Sequence, residues 1–322
     1  MWTRRPRRHP SWRTLVVAGT GLAVLGFSLP GQAEKSAAGS VPAQPAASPA
    51  AALKLGIYDP DGAFGDAPRV EIEHIFMPWE DVDIGSIEAA DRYAHDRGRA
   101  LLVTVEPWSW SPERPTEPTE LRDAILSGRN DGGIRDLCSA FATLQSPVTV
   151  RWGHEMDLKN GRYPWSDWRP SDYVAAYRHF VDLCREQVPD LAFMWSPRGE
   201  FDLRLFYPGD DYVDSIGLSV FGYQAYDMVA NGRERDLTAL LKPSYDRAAK
   251  FNKPIYISEF GCSGDAAYVE HCNDFSAATM KQFPLLDGVV YYSAVEPGEW
   301  PEVYGKPDWR IQPGSDVLSS LD

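Results

Sequence analysis

Two glutamates stand at the ends of two apolar stretches that are well separated in the chain. Residues 148–156 begin as a β-branched run and reach His154 and Glu155, and residues 254–261 run through apolar positions to Glu259. Short apolar runs rich in β-branched residues are typical of buried strands. Cleavage of a glycosidic bond requires two carboxyls, one protonated to donate to the leaving oxygen and one ionised. The two glutamates therefore predict this paired-carboxyl chemistry, provided that the fold brings them together.

The elements that would position them alternate between strand and helix from residue 53 onward. Amphipathic helical patterns are predicted at residues 84–97, 133–145, 237–251, 266–283 and 317–321, with a further helix that Ser171 would cap. The predicted strands are residues 54–58, 74–78, 100–105, 148–151, 191–195, 215–220, 255–258 and 288–292. This order predicts a (β/α)8 TIM barrel, a single α/β domain over residues 53–322. An open doubly wound sheet is the alternative, and the lack of a glycine-rich phosphate turn after the first strand disfavours it.

Carboxylates and aromatic residues dominate the predicted carboxyl ends of the strands, where a barrel of this kind places its site. There is no Ser-His-Asp set and no nucleotide-binding loop in the sequence, and Leu158 stands where a zinc-binding HExxH motif needs its second histidine. We therefore expect no cofactor and no metal. The strand-end residues include Glu106, Trp108, His154, Glu155, Trp195, Arg198, Tyr223, Glu259, Tyr292 and Glu296.

The amino-terminal region has the pattern of a targeting segment. Residues 1–33 combine an arginine-rich start with an apolar run and a small-residue cleavage pattern, which predicts a signal peptide or an uncleaved signal anchor. Residues 34–52 are rich in Ala, Pro and Ser and are predicted to form a linker. We expect a secreted or periplasmic protein that contacts a membrane only if this segment is retained.

The net charge of the chain indicates which classes of molecule it can bind. The formal net charge of the chain is −14, which disfavours binding to nucleic acid and to anionic membranes. A neutral polymer is a better match, and the 11 tryptophans include residues that could stack on sugar rings. We expect a monomer.

The four cysteines allow three disulfide connectivities, and export would permit them to oxidise. The local pairing joins Cys262 to Cys272 and Cys138 to Cys184. The alternative is that all four remain buried free thiols.

Several of these stretches resemble glycoside hydrolase family 26, the β-mannanase and lichenase family. Residues 151–156 resemble its Arg-x-x-His-Glu-Met block, and residues 160–165 resemble its Asn-Gly-x-Tyr-Pro-Trp continuation. Residues 257–261 resemble its nucleophile strand, and residues 214–223 resemble its sixth strand. The sequence departs from the pattern where residues 157–159 lengthen the loop after His-Glu-Met, and where Tyr292 stands at a strand end that often carries Trp.

The resemblance implies a retaining, endo-acting β-glycanase on a TIM barrel. Glu155 would be the acid/base and Glu259 the nucleophile, while His154 would position the nucleophile and Tyr223 would bond to it. Glu106 would lie near the sugar on the non-reducing side of the cleaved bond. The candidate residues for contacting sugar rings are Trp108, Trp165, Trp195 and Tyr292, and Trp110 is a further platform in the same proline-rich loop as Trp108.

The resemblance does not determine which polymer is the substrate. β-Mannan, mixed-linkage β-glucan, β-1,3-xylan and an exopolysaccharide are all compatible with these residues. The alternative function is a non-catalytic glycan-binding barrel that takes part in exopolysaccharide assembly or export.

Overall fold

A computed structural model describes residues 53–80, 83–111, 113–200, 202–298 and 304–312. The predicted signal segment (1–33), the predicted linker (34–52) and the predicted last helix (317–321) lie outside these residues. Within the described part of the chain, no helix combines the length and the apolar character that a membrane span needs.

Eight parallel strands close into a barrel in the order β1 to β8, and β1 pairs with β8 through contacts such as Leu55 with Val289. This closure confirms the predicted (β/α)8 barrel and excludes the open sheet. The strands are β1 (Lys54–Tyr58), β2 (Val70–Pro78), β3 (Ala100–Glu106), β4 (Val148–Trp152), β5 (Ala192–Trp195), β6 (Ser215–Tyr223), β7 (Ile255–Ser263) and β8 (Leu286–Tyr292).

Helices cover the outside of the barrel. The longest, α4, turns Tyr173, Tyr177 and Phe180 toward the sheet, where Phe180 stacks on Trp152 of β4 at a centroid distance of 5.4 Å. Burying aromatic side chains between helix and strand supplies much of the apolar contact that holds such layers together. The helices are α1 (Ile84–His95), α2 (Pro118–Leu126), α3 (Asp131–Phe141), α4 (Pro170–Gln187), α5 (Gln224–Ala230), α6 (Leu237–Ala248), α7 (Ala266–Cys272) and α8 (Ala277–Met280).

Two local predictions about helices were wrong, and the helix α2 was not predicted. Ser171 does not cap α4, because Pro170 already occupies the first helical turn, where its fixed φ is favourable. The single helix predicted over residues 266–283 is two helices, because the Asp274 carboxylate accepts from the Ser276 backbone N–H in a local turn. The proline-rich segment before residue 118 runs into the additional helix α2, which starts on Pro118 for the same reason as α4.

Both local disulfides form, and no free cysteine is left. Cys138–Cys184 joins α3 to α4, and Cys262–Cys272 joins the end of β7 to α7. The pairing predicted from proximity in sequence is therefore confirmed.

Loss of the two disulfides should destabilise the protein unequally. The Cys138–Cys184 bridge closes a loop with a sequence separation of 46 and the Cys262–Cys272 bridge one of 10. Loop-closure entropy then assigns them about 4 and about 2.7 kcal/mol, respectively. Urea unfolding of the two double alanine variants measures this difference. A larger loss for Cys262→Ala/Cys272→Ala would contradict the entropic account.

Candidate active site

A cavity of about 1150 Å³ opens at the carboxyl ends of the strands. Eight of the residues named from the sequence for the site line it, and they come from five different strands or the loops that follow them. Parallel strands in a barrel deliver their last side chains to one mouth, which explains how residues so distant in sequence meet. The eight are Glu106, Trp108, Trp110, Glu155, Arg198, Glu259, Tyr292 and Glu296.

Glu155 reaches the cavity through an unusual stretch of backbone. Gly153 has φ 53° and Glu155 has φ 52°, in the left-handed region that residues with a side chain seldom adopt. The Glu155 N–H donates to the carbonyl of Ser196 at 2.7 Å, which fixes the strained turn against the end of β5. Strained backbone of this kind is found where a side chain must be aimed at a site. Glycine at 153 permits the turn, and the carboxyl of Glu155 is held in the cavity.

Glu259 lies on β7 beside a buried cation. The Arg151 Nη2 stands 2.7 Å from the Glu259 Oε1, and the Arg151 side chain is 0% exposed. The same guanidinium donates to the Ser196 Oγ at 2.8 Å and to the Thr104 Oγ1 at 3.2 Å. A buried arginine needs partners for its donors, and here Thr104 of β3, Ser196 just after β5 and Glu259 of β7 supply them. Arg151 is therefore fixed beside the carboxylate by neighbouring elements of the barrel.

Burial raises the pKa of Glu259 to about 7. The Arg151 guanidinium opposes this shift because it favours the ionised form, whereas the negative charge of Glu155 adds to the rise in pKa. The carboxyl of Glu259 consequently changes its charge near neutral pH.

His154 does not contact Glu259 in the way the sequence predicted. Its Nε2 lies 3.0 Å from the Tyr163 hydroxyl and 3.8 Å from the Glu106 Oε1. Burial, followed by the charge of Arg151, lowers the pKa of His154 well below its usual value, so the ring is neutral. The structure therefore connects His154 to Tyr163 and to Glu106 on the neighbouring strand β3, whereas the predicted partner Glu259 is on β7.

Glu106 organises the aromatic side of the cavity. Its carboxylate accepts from the indole N–H groups of Trp108, at 2.9 Å, and of Trp110. Trp110 is 52% exposed at the rim, so one face of its ring is open to solvent. Planar rings with an open face offer a stacking surface for sugars. These two tryptophans are thus held at defined positions by the one buried glutamate.

Three predicted site residues lie elsewhere. Trp165 and Trp195 are each 0% exposed and offer no surface to a sugar. Trp165 stacks on Tyr163 and donates to the His154 carbonyl at 2.7 Å, while Trp195 packs under Tyr207. The Tyr223 hydroxyl donates to the Tyr304 carbonyl at 2.6 Å.

The position of Tyr223 follows from the strand register. Ser219 is the β6 partner of Glu259, whereas Tyr223 pairs with Ser263 at the far tip of β7. A strand rises by about 3.3 Å per residue, which places Tyr223 roughly 13 Å beyond the carboxylate. The sequence pattern did not reveal that β6 and β7 both extend past the level of Glu259.

The residues that distinguish the loop after β4 are anchored rather than free. The buried Asp157 carboxylate accepts from three consecutive backbone N–H groups, those of Arg198, Gly199 and Glu200, at 2.6 to 3.0 Å. Lys159 donates to the carbonyls of Ser166 and, at 3.1 Å, of Trp168. The lengthened loop is therefore tied both to the loop after β5 and to its own return segment.

Sequence reasoning missed several residues that line the cavity. Tyr58 and Phe76, on β1 and β2, form an aromatic group with Tyr292, which stacks on Tyr58 at 4.9 Å. Tyr58 and Phe76 lie near the carboxyl ends of their strands, and this position could have identified them from the sequence. Arg162 also lines the cavity, where it meets Glu296, and nothing local in the sequence indicated this pair.

No three His, Cys, Asp or Glu residues come together as metal ligands anywhere in the ranges that the structure describes.

Residues 133–283, just under half of the chain, match the model of glycosyl hydrolase family 26. Endoglucanase H of Acetivibrio thermocellus is 24% identical over 271 residues, which cover 78% of this chain and 27% of that protein. A mannan endo-1,4-beta-mannosidase of Bifidobacterium adolescentis is 31% identical over 180 residues, covering 48% of this chain and 17% of that protein. The chain thus spans less than a third of the length of these curated relatives.

The barrel also resembles solved structures. A family 26 beta-mannanase from Bacteroides ovatus superposes with a TM-score of 0.57 at 17% identity, covering 84% of this chain and 87% of that one. At this identity the likeness shows the fold alone. Residues 133–283 are similar to glycosyl hydrolase family 26.

Proposed function

We propose that this chain is a retaining glycoside hydrolase that cleaves a neutral β-linked polysaccharide by double displacement. The observation that carries the proposal is that Glu155, in the loop after β4, and Glu259, on β7, line one cavity. A family 26 barrel with a paired-carboxyl site supports hydrolysis over glycan binding alone.

The two carboxyls differ in their surroundings. Glu259 has the fully buried Arg151 guanidinium at 2.7 Å, whereas the closest cation to Glu155 is the partly exposed Arg198, at 3.9 Å. A close buried cation favours a carboxylate that must be ionised to attack. We therefore assign Glu259 as the nucleophile and Glu155 as the acid/base.

The aromatic residues of the cavity suit an uncharged sugar chain. Trp108, Tyr58 and Tyr292 line the cavity, with the open ring of Trp110 at its rim. Relatives named as an endoglucanase, a β-1,3-xylanase and a mannosidase support a backbone of β-linked neutral sugars. The two disulfides support an exported enzyme, since they persist in oxidising compartments.

The direct test is a polymer panel. The purified protein is incubated with β-mannan, mixed-linkage β-glucan, β-1,3-xylan and β-1,4-glucan, and products are sized while NMR follows the anomer formed first. We expect oligosaccharides from at least one polymer, released with retained configuration. A folded protein that binds a polymer without cleaving any would instead support the glycan-binding alternative. An inverted first product would contradict a nucleophile at Glu259.

The pH dependence should report on Arg151. Glu259 attacks only when ionised, so kcat/KM should fall as the pH drops through the raised pKa of about 7. Arg151→Met removes the cation that favours ionisation, and the acid limb should move up by about 1 to 3 pH units. Arg151→Lys keeps the charge and should move the limb less. An unmoved limb in Arg151→Met, with circular dichroism showing a folded protein, would contradict this role.

A further inference from the structure

A buried histidine on β2 lies behind the wall of the cavity. His74 is 2% exposed and is not one of the residues that line the cavity. Its ring packs against Phe76 at a centroid distance of 4.4 Å and against Tyr58 at 5.9 Å, and both of these aromatic residues do line the cavity. His74 is therefore out of reach of a sugar bound in the cavity, and any effect it has on the reaction must pass through other side chains.

One ring nitrogen of His74 is connected to the nucleophile by a row of contacts. The His74 Nε2 lies 2.7 Å from the Thr104 Oγ1. The same oxygen accepts from the Arg151 Nη1 at 3.2 Å, and Thr104 and Arg151 are register partners on β3 and β4. The Arg151 Nη2 in turn stands 2.7 Å from the Glu259 Oε1. The row runs without a gap from His74 through Thr104 and Arg151 to the carboxylate.

The direction of the hydrogen bonds in this row follows from the donors. A guanidinium has donors only, so the Thr104 oxygen accepts from Arg151. The hydroxyl hydrogen of Thr104 then needs an acceptor, and the His74 Nε2 supplies it. Burial, followed by the charge of Arg151, lowers the pKa of His74 well below its usual value, so the ring is neutral and one of its nitrogens can accept. The lone pairs of the Thr104 oxygen are consequently turned toward the guanidinium.

The second ring nitrogen makes His74 unfavourable for folding. Its Nδ1 is buried and has no hydrogen-bond partner in the part of the chain that the structure describes. When Nε2 accepts from Thr104, Nδ1 carries the proton. A buried N–H without a partner destabilises a fold, and an apolar side chain of similar size would avoid this loss. The packing of the barrel therefore gives no reason for a histidine at this position, whereas the contact with Thr104 does.

Arg151 is the cation in direct contact with Glu259, and the row reaches no other charge. Burial raises the pKa of Glu259; Arg151 and Arg162 lower it, and the negative charge of Glu155 raises it further. His154 is also neutral, because burial lowers its pKa. Burial raises the pKa of each tyrosine that faces Glu259, so these are neutral too: Tyr58, Tyr163 and Tyr292.

We propose that His74 is a positioning residue for the nucleophile, which holds the Arg151 guanidinium against Glu259 through the Thr104 hydroxyl. The proposal rests on the proposed hydrolase function, in which Glu259 attacks as a carboxylate. It adds a residue outside the cavity that controls how readily this carboxylate ionises. Arg151 supplies the charge, and His74 and Thr104 keep that charge in place.

The test measures the acid limb of the pH profile of kcat/KM, which reports ionisation of the nucleophile in the free enzyme. His74→Leu removes the acceptor, and Thr104→Val removes the hydroxyl with little change in shape. In either variant the guanidinium is held less closely and favours the carboxylate less, so the limb should move to higher pH. We expect a shift of about 0.4 to 1 pH unit, which corresponds to one lost hydrogen bond. This shift is smaller than that expected for Arg151→Met.

Matched variants serve as controls. His74→Gln retains an acceptor and Thr104→Ser retains the hydroxyl, so each should keep the limb closer to the wild-type pH than His74→Leu or Thr104→Val does. Tyr177→Phe removes a different buried polar atom, a hydroxyl on α4 that has no partner among the described residues. This third variant should leave the limb in place.

Two further measurements separate positioning from a purely structural role. The double variant His74→Leu/Thr104→Val should move the limb no further than one of the single variants, because both changes act through the same hydroxyl. The urea midpoint of His74→Leu should equal or exceed that of the wild type, because the substitution removes a buried N–H that has no partner.

Each contrary outcome has a definite meaning. A folded His74→Leu variant with an unmoved limb, or additive shifts in the double variant, overturns the role of His74 and leaves the hydrolase proposal standing. An equal shift in Tyr177→Phe overturns it as well. If His74→Leu does not fold, Thr104→Val carries the test, and an unmoved limb in that variant overturns the proposal. If the wild type cleaves no polymer of the panel, the hydrolase proposal fails and the positioning role fails with it.

Discussion

Glu259→Ala should reduce turnover by on the order of 10⁴-fold or more, because no other group can form the covalent intermediate. The replacement also leaves a space on the face of the sugar that the carboxylate would attack. Azide can enter this space when an aryl β-glycoside with a good leaving group is supplied. The product should then be a glycosyl azide of inverted configuration, which NMR identifies directly.

Glu106 offers the matched control, since it is a second buried glutamate in the same cavity. Glu106→Ala releases the indole groups of Trp108 and Trp110 and should act mainly by raising KM. Azide should give no glycosyl azide with this variant. An inverted azide product from Glu106→Ala, or substantial turnover by Glu259→Ala without azide, would remove Glu259 from the nucleophile role.

Glu155→Ala should lower kcat by about 10²- to 10⁴-fold on polymers, the usual contribution of a general acid. The loss should be smaller for an aryl glycoside whose leaving group needs no proton.

Azide also distinguishes the role of Glu155 from that of Glu259. In Glu155→Ala the intermediate on Glu259 still forms, so azide attacks it from the opposite face and the product keeps its configuration. Opposite configurations from the two variants would separate the two roles in a single assay. Full activity of Glu155→Ala on polymers would show that the proton comes from another group.

The sequence predicted the barrel well because each buried strand carries its own signal. Apolar and β-branched runs mark the parallel strands, and β1 starts and ends at the residues predicted from this pattern. Glu155 and Glu259 follow from the same reasoning, since a residue at a strand tip must face the mouth of the barrel. The local pattern was sufficient for residues whose placement in the barrel depends only on their position along one strand.

The same pattern failed for residues whose placement depends on a neighbouring strand, helix or loop. Trp195 ends β5 just as Glu155 follows β4, yet its ring turns outward beneath Tyr207 and Phe251. Tyr223 was misplaced because the length of β6 depends on its pairing with β7. The ion pair between Arg162 and Glu296 joins loops on opposite sides of the barrel. Contacts of this kind depend on closure of the ring and leave no periodic trace in the sequence.

The anchoring of Asp157 divides the loop after β4 into two parts that protein engineering should treat differently. Up to Asp157 the loop is fastened to three backbone N–H groups of the next loop, so a library that varies this part would mostly yield misaligned proton donors. Beyond it, residues 158 and 160–162 are partly or fully exposed, and Leu158, Asn160 and Arg162 line the cavity. Randomising those positions while retaining Asp157 should change the preferred chain length and leave the catalytic geometry intact.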